Sequence, residues 1–307
     1  LATHLDRRRF EPLVMALTRG GPYQGVLEAH GIPCEVIGKQ AAVSPGALMR
    51  LVRMLRDQRV DIVHTWMFTS NAYGRAAACM AGVRGVISEE RCVDRWKGPV
   101  RLAADRILAP FSDCIVANSA SVARWLRSVG IPGRLIEIIP SALDPSGWPA
   151  RPLGELRQVP SAPRLVAVGR MFPQKRYDVL LSAMTEVVRA FPGASLTIAG
   201  DGPCRPELEA LALEHGLQDR VHMPGEVSDV PRLLAQSALF LMASDFEGLP
   251  NSVMEAMYVG VPVVATDAPG TTDLVEDGVT GLLVPRGDAG AMAQAAVSIL
   301  RDPERGR

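Results

Sequence analysis

Two acidic side chains at a fixed spacing are the first feature of the sequence that could do chemistry. Glu247 and Glu255 are separated by seven residues, and an apolar run at 239–242 precedes them. Pro250 favours the start of a helix, which would place Glu255 in the first turn. Carboxylates accept hydrogen bonds from sugar hydroxyls, and a helix start attracts phosphate. The alternative is a capping box at 252–255, in which Glu255 only caps its own helix.

A basic loop follows a second apolar run, at 164–168. Gly169 lets a ligand approach the backbone, while Arg170 and Lys175 place two positive charges in one loop. A predicted helix at 177–191 adds the positive potential of its N-terminus. This combination suits a diphosphate, and the alternative is a basic loop whose charges face water.

The charged loops must be positioned by regular elements. Apolar runs alternate with helical periodicity, which predicts parallel strands that are buried on both faces and separated by helices. The alternation lapses at 141–163, and five prolines lie within 145–163. We therefore predict an α/β protein with two Rossmann-like doubly wound domains, 1–146 and 164–307, and a linker at 147–163. Ligands of such sheets bind beyond the carboxyl ends of strands, here in a cleft between the domains.

The composition argues against several function classes. Lys plus Arg and Asp plus Glu each number 33 in 307 residues, so a net charge of zero gives no general attraction to nucleic acid. The five cysteines are an odd number and contain no Cys-x-x-Cys pair. This argues against a disulfide framework and a zinc site, and it favours a reducing, cytoplasmic compartment.

The C-terminal half resembles the retaining glycosyltransferases of family 4, which have the GT-B fold of two Rossmann-like domains. The spacing from Glu247 to Glu255 matches the family's Glu-x7-Glu motif. The other matching motifs occur in the family's order: Gly169-Arg170 with Lys175, Gly200-Asp201-Gly202-Pro203, Gly248-Leu249-Pro250, residues 260–266 and residues 276–285. The N-terminal half is similar more loosely, through residues 61–64, 118–119 and 139–140.

The resemblance implies a role for each matching residue. Arg170 and Lys175 would hold the diphosphate of a nucleotide sugar and stabilise its charge as it leaves. Glu255 would bind the ribose hydroxyls, and Glu247 would contact the transferred sugar near its reacting face. Gly225 and Val227 would border the base of the nucleotide. The sugar and phosphate pocket would be formed by Gly169 and by the backbone amides around Gly248, Leu249 and Pro250.

The sequence also departs from the family's pattern. We expect the chain to begin after the first strand and Gly-rich loop of the family's first domain, and to end before its returning C-terminal helix. Glu89, Glu90 and Arg91 stand where family members often carry a His, so that role is not carried over and Arg91 is a candidate substitute. His64, at a strand end, is a second candidate on the acceptor side, with a structural role as the alternative.

We therefore predict a hexosyltransferase that uses a UDP- or GDP-sugar and retains the configuration of the anomeric carbon. Its acceptor would be a glycan or a lipid-linked glycan. No cofactor is expected, and since no Asp-x-Asp occurs, Arg170 and Lys175 would replace a metal ion. The alternatives are a sugar-nucleotide epimerase of similar fold and a non-catalytic nucleotide-sugar-binding subunit.

Basic and aromatic residues in the N-terminal half favour an ordinary solvated face, and a contact with anionic membrane is the alternative. They lie at 95–97, at 124–127, and at Arg50, Arg53 and Arg56 along one helix. Because related enzymes often act on lipid-linked acceptors, this alternative would be peripheral binding at the inner face of the cell membrane.

Overall fold

The computed structural model describes residues 1–144, 146, 148 and 162–302. They fall into two compact units. The first is formed by Leu1–Glu90, Trp96–Val116 and Arg127–Glu137, and the second by Arg91–Arg95, Ala117–Leu126 and Ile138–Arg307. The predicted linker at 147–163 lies largely outside the described residues, so the predicted domain boundaries stay a prediction.

The N-terminal half alternates strands with helices, as the apolar runs predict. The strands are β1 (Val14–Ala16), β2 (Cys34–Val36), β3 (Ile62–Trp66), β4 (Gly85–Glu90), β5 (Cys114–Ala117) and β6 (Ile136–Ile138). The helices are α1 (Gln24–Ala29), α2 (Pro45–Asp57), α3 (Met67–Ala81), α4 (Pro99–Leu108) and α5 (Ala120–Ser128). β1 and β2 form a parallel pair of their own, while β3 to β6 form a four-stranded sheet in sequential order.

Helix α2 shows how local sequence builds these elements. Ser44 accepts a hydrogen bond from the Ala47 amide at 3.3 Å, and Pro45 occupies the first helical position, where its missing N–H costs nothing. Leu51 and Leu55 then recur one turn apart on the buried face. The helix therefore begins at a polar cap and packs its apolar side against the sheet of the first unit.

The C-terminal half contains one larger sheet. Its strands are β7 (Arg164–Val168), β8 (Ser195–Ala199), β9 (Val221–Gly225), β10 (Leu239–Met242), β11 (Val263–Thr266) and β12 (Leu282–Val284). Its helices are α6 (Tyr177–Ala190), α7 (Arg205–Glu214), α8 (Val230–Ala235), α9 (Asn251–Val259) and α10 (Ala289–Arg301).

The inner strands β10 and β11 are buried on both faces, as parallel strands between helices must be. Leu239 and Leu241 of β10 face a core shared with α6, α7 and α10. Phe240 and Met242 face the opposite core, shared with α8 and α9. Alternating side chains of one apolar run therefore pack against two separate helical layers.

The strand order fixes where a ligand can bind. The order is β12-β11-β10-β7-β8-β9, with parallel pairing in each adjacent pair. From β7 the chain builds the sheet in one direction through β8 and β9, and from β10 it builds in the other. The boundary between β7 and β10 is thus the topological switch point, and the carboxyl ends of these two strands border a crevice.

Candidate active site

The two charged loops predicted from the sequence meet at this switch point. Residues 169–176 follow β7, and residues 243–250 follow β10. The Asp245 amide donates a hydrogen bond to the Gln174 carbonyl at 2.9 Å, which joins the loops directly. Parallel neighbouring strands therefore bring together two segments that lie about seventy residues apart in the chain.

An ion pair connects the loops at their centre. Lys175 Nζ lies 2.6 Å from Glu247 Oε1, and the two side chains keep only 15% and 10% of their exposure. Shielding from water strengthens the interaction of such groups, and loss of one partner leaves the other buried and uncompensated. The pair fixes a cation at the end of β7 beside a carboxylate at the end of β10.

Gly169 keeps the backbone close to this pair. Its φ angle is +153°, and a Cβ atom placed on it would lie 3.4 Å from Lys175 Nζ and 3.2 Å from the Tyr177 hydroxyl. That hydroxyl donates to the Gly169 carbonyl at 3.0 Å. Burial, with a smaller effect from the Glu247 charge, raises the pKa of Tyr177. The phenol therefore stays protonated and holds the glycine in place at neutral pH.

Arg170 occupies the same turn but is placed differently from Lys175. Its side chain is exposed, and its guanidinium lies 4.8 Å from the ring centre of Phe172. A cation at this position is held by an aromatic face and stays open to solvent. Arg170 therefore lies in the same loop as Lys175 but outside the Lys175–Glu247 pair.

Glu255 lies on α9, which begins at Asn251, so the carboxylate stands in the second turn and not in the first. The capping-box alternative is wrong, because Pro250 is the N-cap and no side chain caps this helix. Glu255 is half-buried, and burial raises the pKa of its carboxyl group. A partly buried acid on the helix that starts at the site is typical of a functional position.

The segment between the two acids begins with three buried residues and continues into α9. Gly248, Leu249 and Pro250 are all buried. The resemblance implied a backbone amide donor at Pro250, but proline has no N–H, so Pro250 can contact a ligand through its ring but cannot donate a hydrogen bond. In the described part of the chain, the amides of Asn251 and Ser252 have no backbone acceptor, as the first amides of a helix do not. These two amides are therefore available as hydrogen-bond donors at this strand end.

Gly225 and Val227 lie further along the same edge of the sheet. Gly225 ends β9 with a φ angle of +83°, and its carbonyl accepts a hydrogen bond from the Gly200 amide at 2.8 Å. Val227 follows in the next loop and is half-buried. β9 is two strands away from β7, about 10 Å at the usual strand spacing.

Two family models match the chain in succession. The model described as Glycosyltransferase Family 4 matches residues 1–146, and the one described as Glycosyl transferases group 1 matches residues 162–302. The lipopolysaccharide core biosynthesis glycosyltransferase LpsE of Rhizobium meliloti is 30% identical over 254 residues, which are 83% of this chain and 69% of that protein. The chain belongs to the family 4 glycosyltransferases.

A second relative and a solved structure agree with this assignment. The alpha-D-kanosaminyltransferase of Streptomyces kanamyceticus is 37% identical over 144 residues, 46% of this chain and 37% of that protein. The crystal structure of Anabaena HepE in complex with UDP-glucose is similar with a TM-score of 0.84 and 25% identity, over 96% of this chain and 83% of that one. The glycosyltransferase has the GT-B fold that the sequence predicts, and the comparisons do not favour the epimerase or the binding subunit.

The two acceptor-side candidates of the glycosyltransferase have contacts of their own. The His64 ring stacks on Trp66 with centroids 4.3 Å apart, and its Nε2 lies 3.3 Å from Glu89 Oε2 in the first unit. Arg91 belongs to the second unit, where its guanidinium donates to Ser141 Oγ at 3.1 Å. These contacts assign no acceptor role to either side chain, and both roles stay predictions.

Two short segments of the second unit were not recognised in the sequence. Residues 91–95 and 117–126 come from the N-terminal half, yet they pack within the second unit. Cys92 forms an antiparallel bridge with Gly248. Burial, followed by the charges of Asp94 and Glu247, raises the pKa of the Cys92 thiol to about 12. The signal that could have revealed this packing is Gly248, since glycine permits a close backbone approach.

Part of the basic surface predicted for membrane contact is used internally. Lys97 has no exposed side-chain area and pairs with Glu90 at 3.1 Å and Asp105 at 2.9 Å, so the prediction is wrong for this residue. Arg50 donates to the Ile37 carbonyl at 2.9 Å. Over the ranges that the structure describes, no helix combines the length and the apolar character that crossing a bilayer requires.

Proposed function

We propose that this glycosyltransferase moves a hexosyl group from a UDP- or GDP-sugar to a glycan or lipid-linked glycan, with retention and without a cofactor or metal ion. The observation that carries the proposal is the shielded Lys175–Glu247 pair at the switch point between β7 and β10. An ammonium group in such a place can neutralise a leaving diphosphate. The carboxylate beside it can accept a hydrogen bond from a sugar hydroxyl.

The charges of the site suit the bond that must break. Cleavage between the anomeric carbon and the phosphate oxygen leaves negative charge on the diphosphate and positive character on the sugar. Lys175 and Arg170 oppose the first charge, together with the free amides of Asn251 and Ser252. Glu247 stabilises the second charge, since a carboxylate near an electron-deficient carbon lowers its energy.

The remaining predicted contacts fit a nucleotide that extends along the sheet edge. Glu255 on α9 would bind the ribose hydroxyls, and burial raises the pKa of its carboxyl group. Gly225 and Val227 would border the base. The separation of about 10 Å between β9 and β7 is comparable to the reach from a base to its diphosphate.

The relatives support the substrate classes of the proposal. The HepE structure was determined with UDP-glucose, and LpsE acts in lipopolysaccharide core biosynthesis. From these two relatives we infer that this chain uses a nucleotide-sugar donor and a saccharide acceptor. Retention rests on the Glu247 to Glu255 spacing that the chain shares with the retaining enzymes of the family.

The test is a donor panel. The protein is incubated with UDP- and GDP-sugars, with and without glycan and lipid-linked glycan extracts, and nucleotide release and product are followed. The proposal expects acceptor-dependent release, and an NMR coupling constant at the new bond that matches the configuration of the donor. Change within the sugar without an acceptor, or binding without turnover, would overturn it, and an inverted bond would overturn retention alone.

We also propose that the protein is cytoplasmic and binds the inner face of the membrane through α4. Val100 and Ile107 of this helix are 81% and 70% exposed, and the Arg101 guanidinium lies 4.9 Å from the Trp96 ring centre. Apolar side chains flanked by arginine suit an anionic lipid surface. Co-sedimentation with phosphatidylglycerol vesicles should exceed that with phosphatidylcholine, and Val100→Asp should abolish the difference. Equal binding to both vesicle types would contradict this proposal.

A further inference from the structure

A carboxylate outside the predicted site bonds to a distant helix start in the second unit. Asp273 Oδ2 accepts a hydrogen bond from the Ser121 backbone N–H at 2.8 Å, across 152 residues of sequence. The Asp273 side chain is only 14% exposed, and Arg124 lies 3.6 Å from its other oxygen. Arg124 also donates to the Ser121 hydroxyl at 2.8 Å. Ser119, just before α5, accepts a hydrogen bond from the Val122 amide at 3.2 Å, and Asp273 thus adds a second acceptor to the first turn of this helix.

The loop that carries Asp273 also packs against the Glu247–Gly248 peptide of the site. The Glu247 amide donates to the Pro269 carbonyl at 2.9 Å. Gly270 has a φ angle of +86°, and a Cβ atom on it would lie 2.5 Å from the Gly248 oxygen and 2.8 Å from the Glu247 carbonyl carbon. The Glu247–Gly248 peptide therefore rests on this loop with no room for a side chain between them.

The segment capped by Asp273 reaches the opposite side of the same peptide. A Cβ atom on Gly248 would lie 1.8 Å from the Arg91 oxygen and 3.0 Å from Asn118 Oδ1. Asn118 is 2% exposed, and its Nδ2 donates to the Arg91 carbonyl at 3.4 Å. Asn118 precedes α5 closely, so whatever fixes the start of α5 also fixes this side chain.

These contacts form a closed ring through Gly248, Gly270, Asp273, Ser121 and Asn118. We propose that Asp273 is a positioning residue for transfer: by holding the start of α5, it keeps residues 117–126 and 91–95 against the Glu247–Gly248 peptide. It touches no reacting group itself. The inference rests on the proposed function, since it concerns the placement of the carboxylate that faces the sugar.

Loss of the Asp273 carboxylate should loosen the ring and lower turnover. Asp273→Ala leaves the Ser121 N–H without its acceptor, so the amides of 117–126 and 91–95 should exchange hydrogen at least ~10-fold faster. Since a small misplacement of a catalytic group is costly, kcat should fall about 10-fold or more while KM for the donor changes little. Asp273→Asn keeps an oxygen acceptor and should restore both slow exchange and turnover.

A matched control separates this role from ordinary helix capping. Asp288 accepts from the Ala291 amide at 2.8 Å and caps α10 from its own end. Asp288→Ala should leave the exchange of 117–126 and kcat unchanged, and comparable melting temperatures for the two alanine variants would show that both fold. Unchanged exchange in Asp273→Ala, or faster exchange with normal kcat, would overturn the inference. If the wild type transfers no sugar to any acceptor, the proposed function fails, while the exchange measurement still reports on the ring.

Discussion

Lys175 provides the cation that the structure brings closest to the Glu247 carboxylate. Lys175→Ala should lower acceptor-dependent nucleotide release at least ~10²-fold, because one fixed donor to a developing negative charge is worth that much. The control is Arg189→Ala, which removes a 71% exposed cation at the end of α6 and should leave turnover unchanged. Near-normal turnover of Lys175→Ala would contradict the role assigned to this side chain.

The half-buried carboxyl group of Glu255 should make the free energy of unfolding depend on pH. Burial raises the pKa of its carboxyl above 4.5, so the folded state holds this proton more tightly than the unfolded state does. The stabilising contribution is therefore complete below the unfolded pKa and is lost as pH rises through the folded pKa. Glu255→Gln should raise the free energy of unfolding relative to wild type at pH 7, with no difference near pH 3.5. Urea unfolding at both pH values checks this, and an equal difference at both would contradict it.

Residue types alone predicted part of the site. The spacing of Glu247 and Glu255 and the position of Lys175 are local and visible in the sequence. Their contact is not, because it depends on β7 and β10 being neighbours. Lys97 shows the same limit: its basic and aromatic surroundings favoured a surface, but Glu90 and Asp105 bury it in an ion-pair cluster. Ion pairing in the tertiary structure overrides a local pattern.

At the scale of elements, the backbone at Gly248 lies very close to the backbone of residues 91–95. Gly248→Ala places a Cβ atom 1.8 Å from the Arg91 carbonyl oxygen, so residues 91–95 must shift. The variant should lose about 1–3 kcal/mol of unfolding free energy and at least ~10-fold in turnover. Gly290→Ala, in the first turn of α10, places a Cβ atom 3.4 Å from Asp288 Oδ1, an ordinary contact, and should instead be neutral or slightly stabilising. Thermal unfolding and nucleotide release check both variants, and a fully active Gly248→Ala would contradict the close approach.

The elements themselves were largely predictable from the sequence. Strands buried on both faces appear as continuous apolar runs, and β7 and β8 begin and end where those runs do. The pairing of β1 with β2 outside the larger sheet was not predictable. Nor was the packing of residues 91–95 with the second unit, since both depend on contacts between parts of the chain that are distant in sequence.

At the scale of the whole molecule, side chains and helix amides take the place of a metal ion in the proposed reaction. Turnover should therefore be unchanged, within about twofold, when EDTA is added to protein purified without divalent cations. The comparison is the same assay with added Mg²⁺ or Mn²⁺. A loss of activity with EDTA that either cation restores would show that Lys175 and Arg170 cannot stabilise the leaving diphosphate without a metal ion.

The repeated alternation of strands and helices made two Rossmann-like domains predictable, because such repeats bury their apolar faces in a layered sheet. The resemblance to family 4 then identified the pair of domains as the GT-B fold. We propose that this fold binds its donor at the switch point between β7 and β10. A crystal structure of the protein with bound UDP or GDP tests it most directly. We predict the diphosphate at Gly169, Arg170 and Lys175, with the ribose on Glu255. A nucleotide bound away from these residues and from Glu247 would contradict the account.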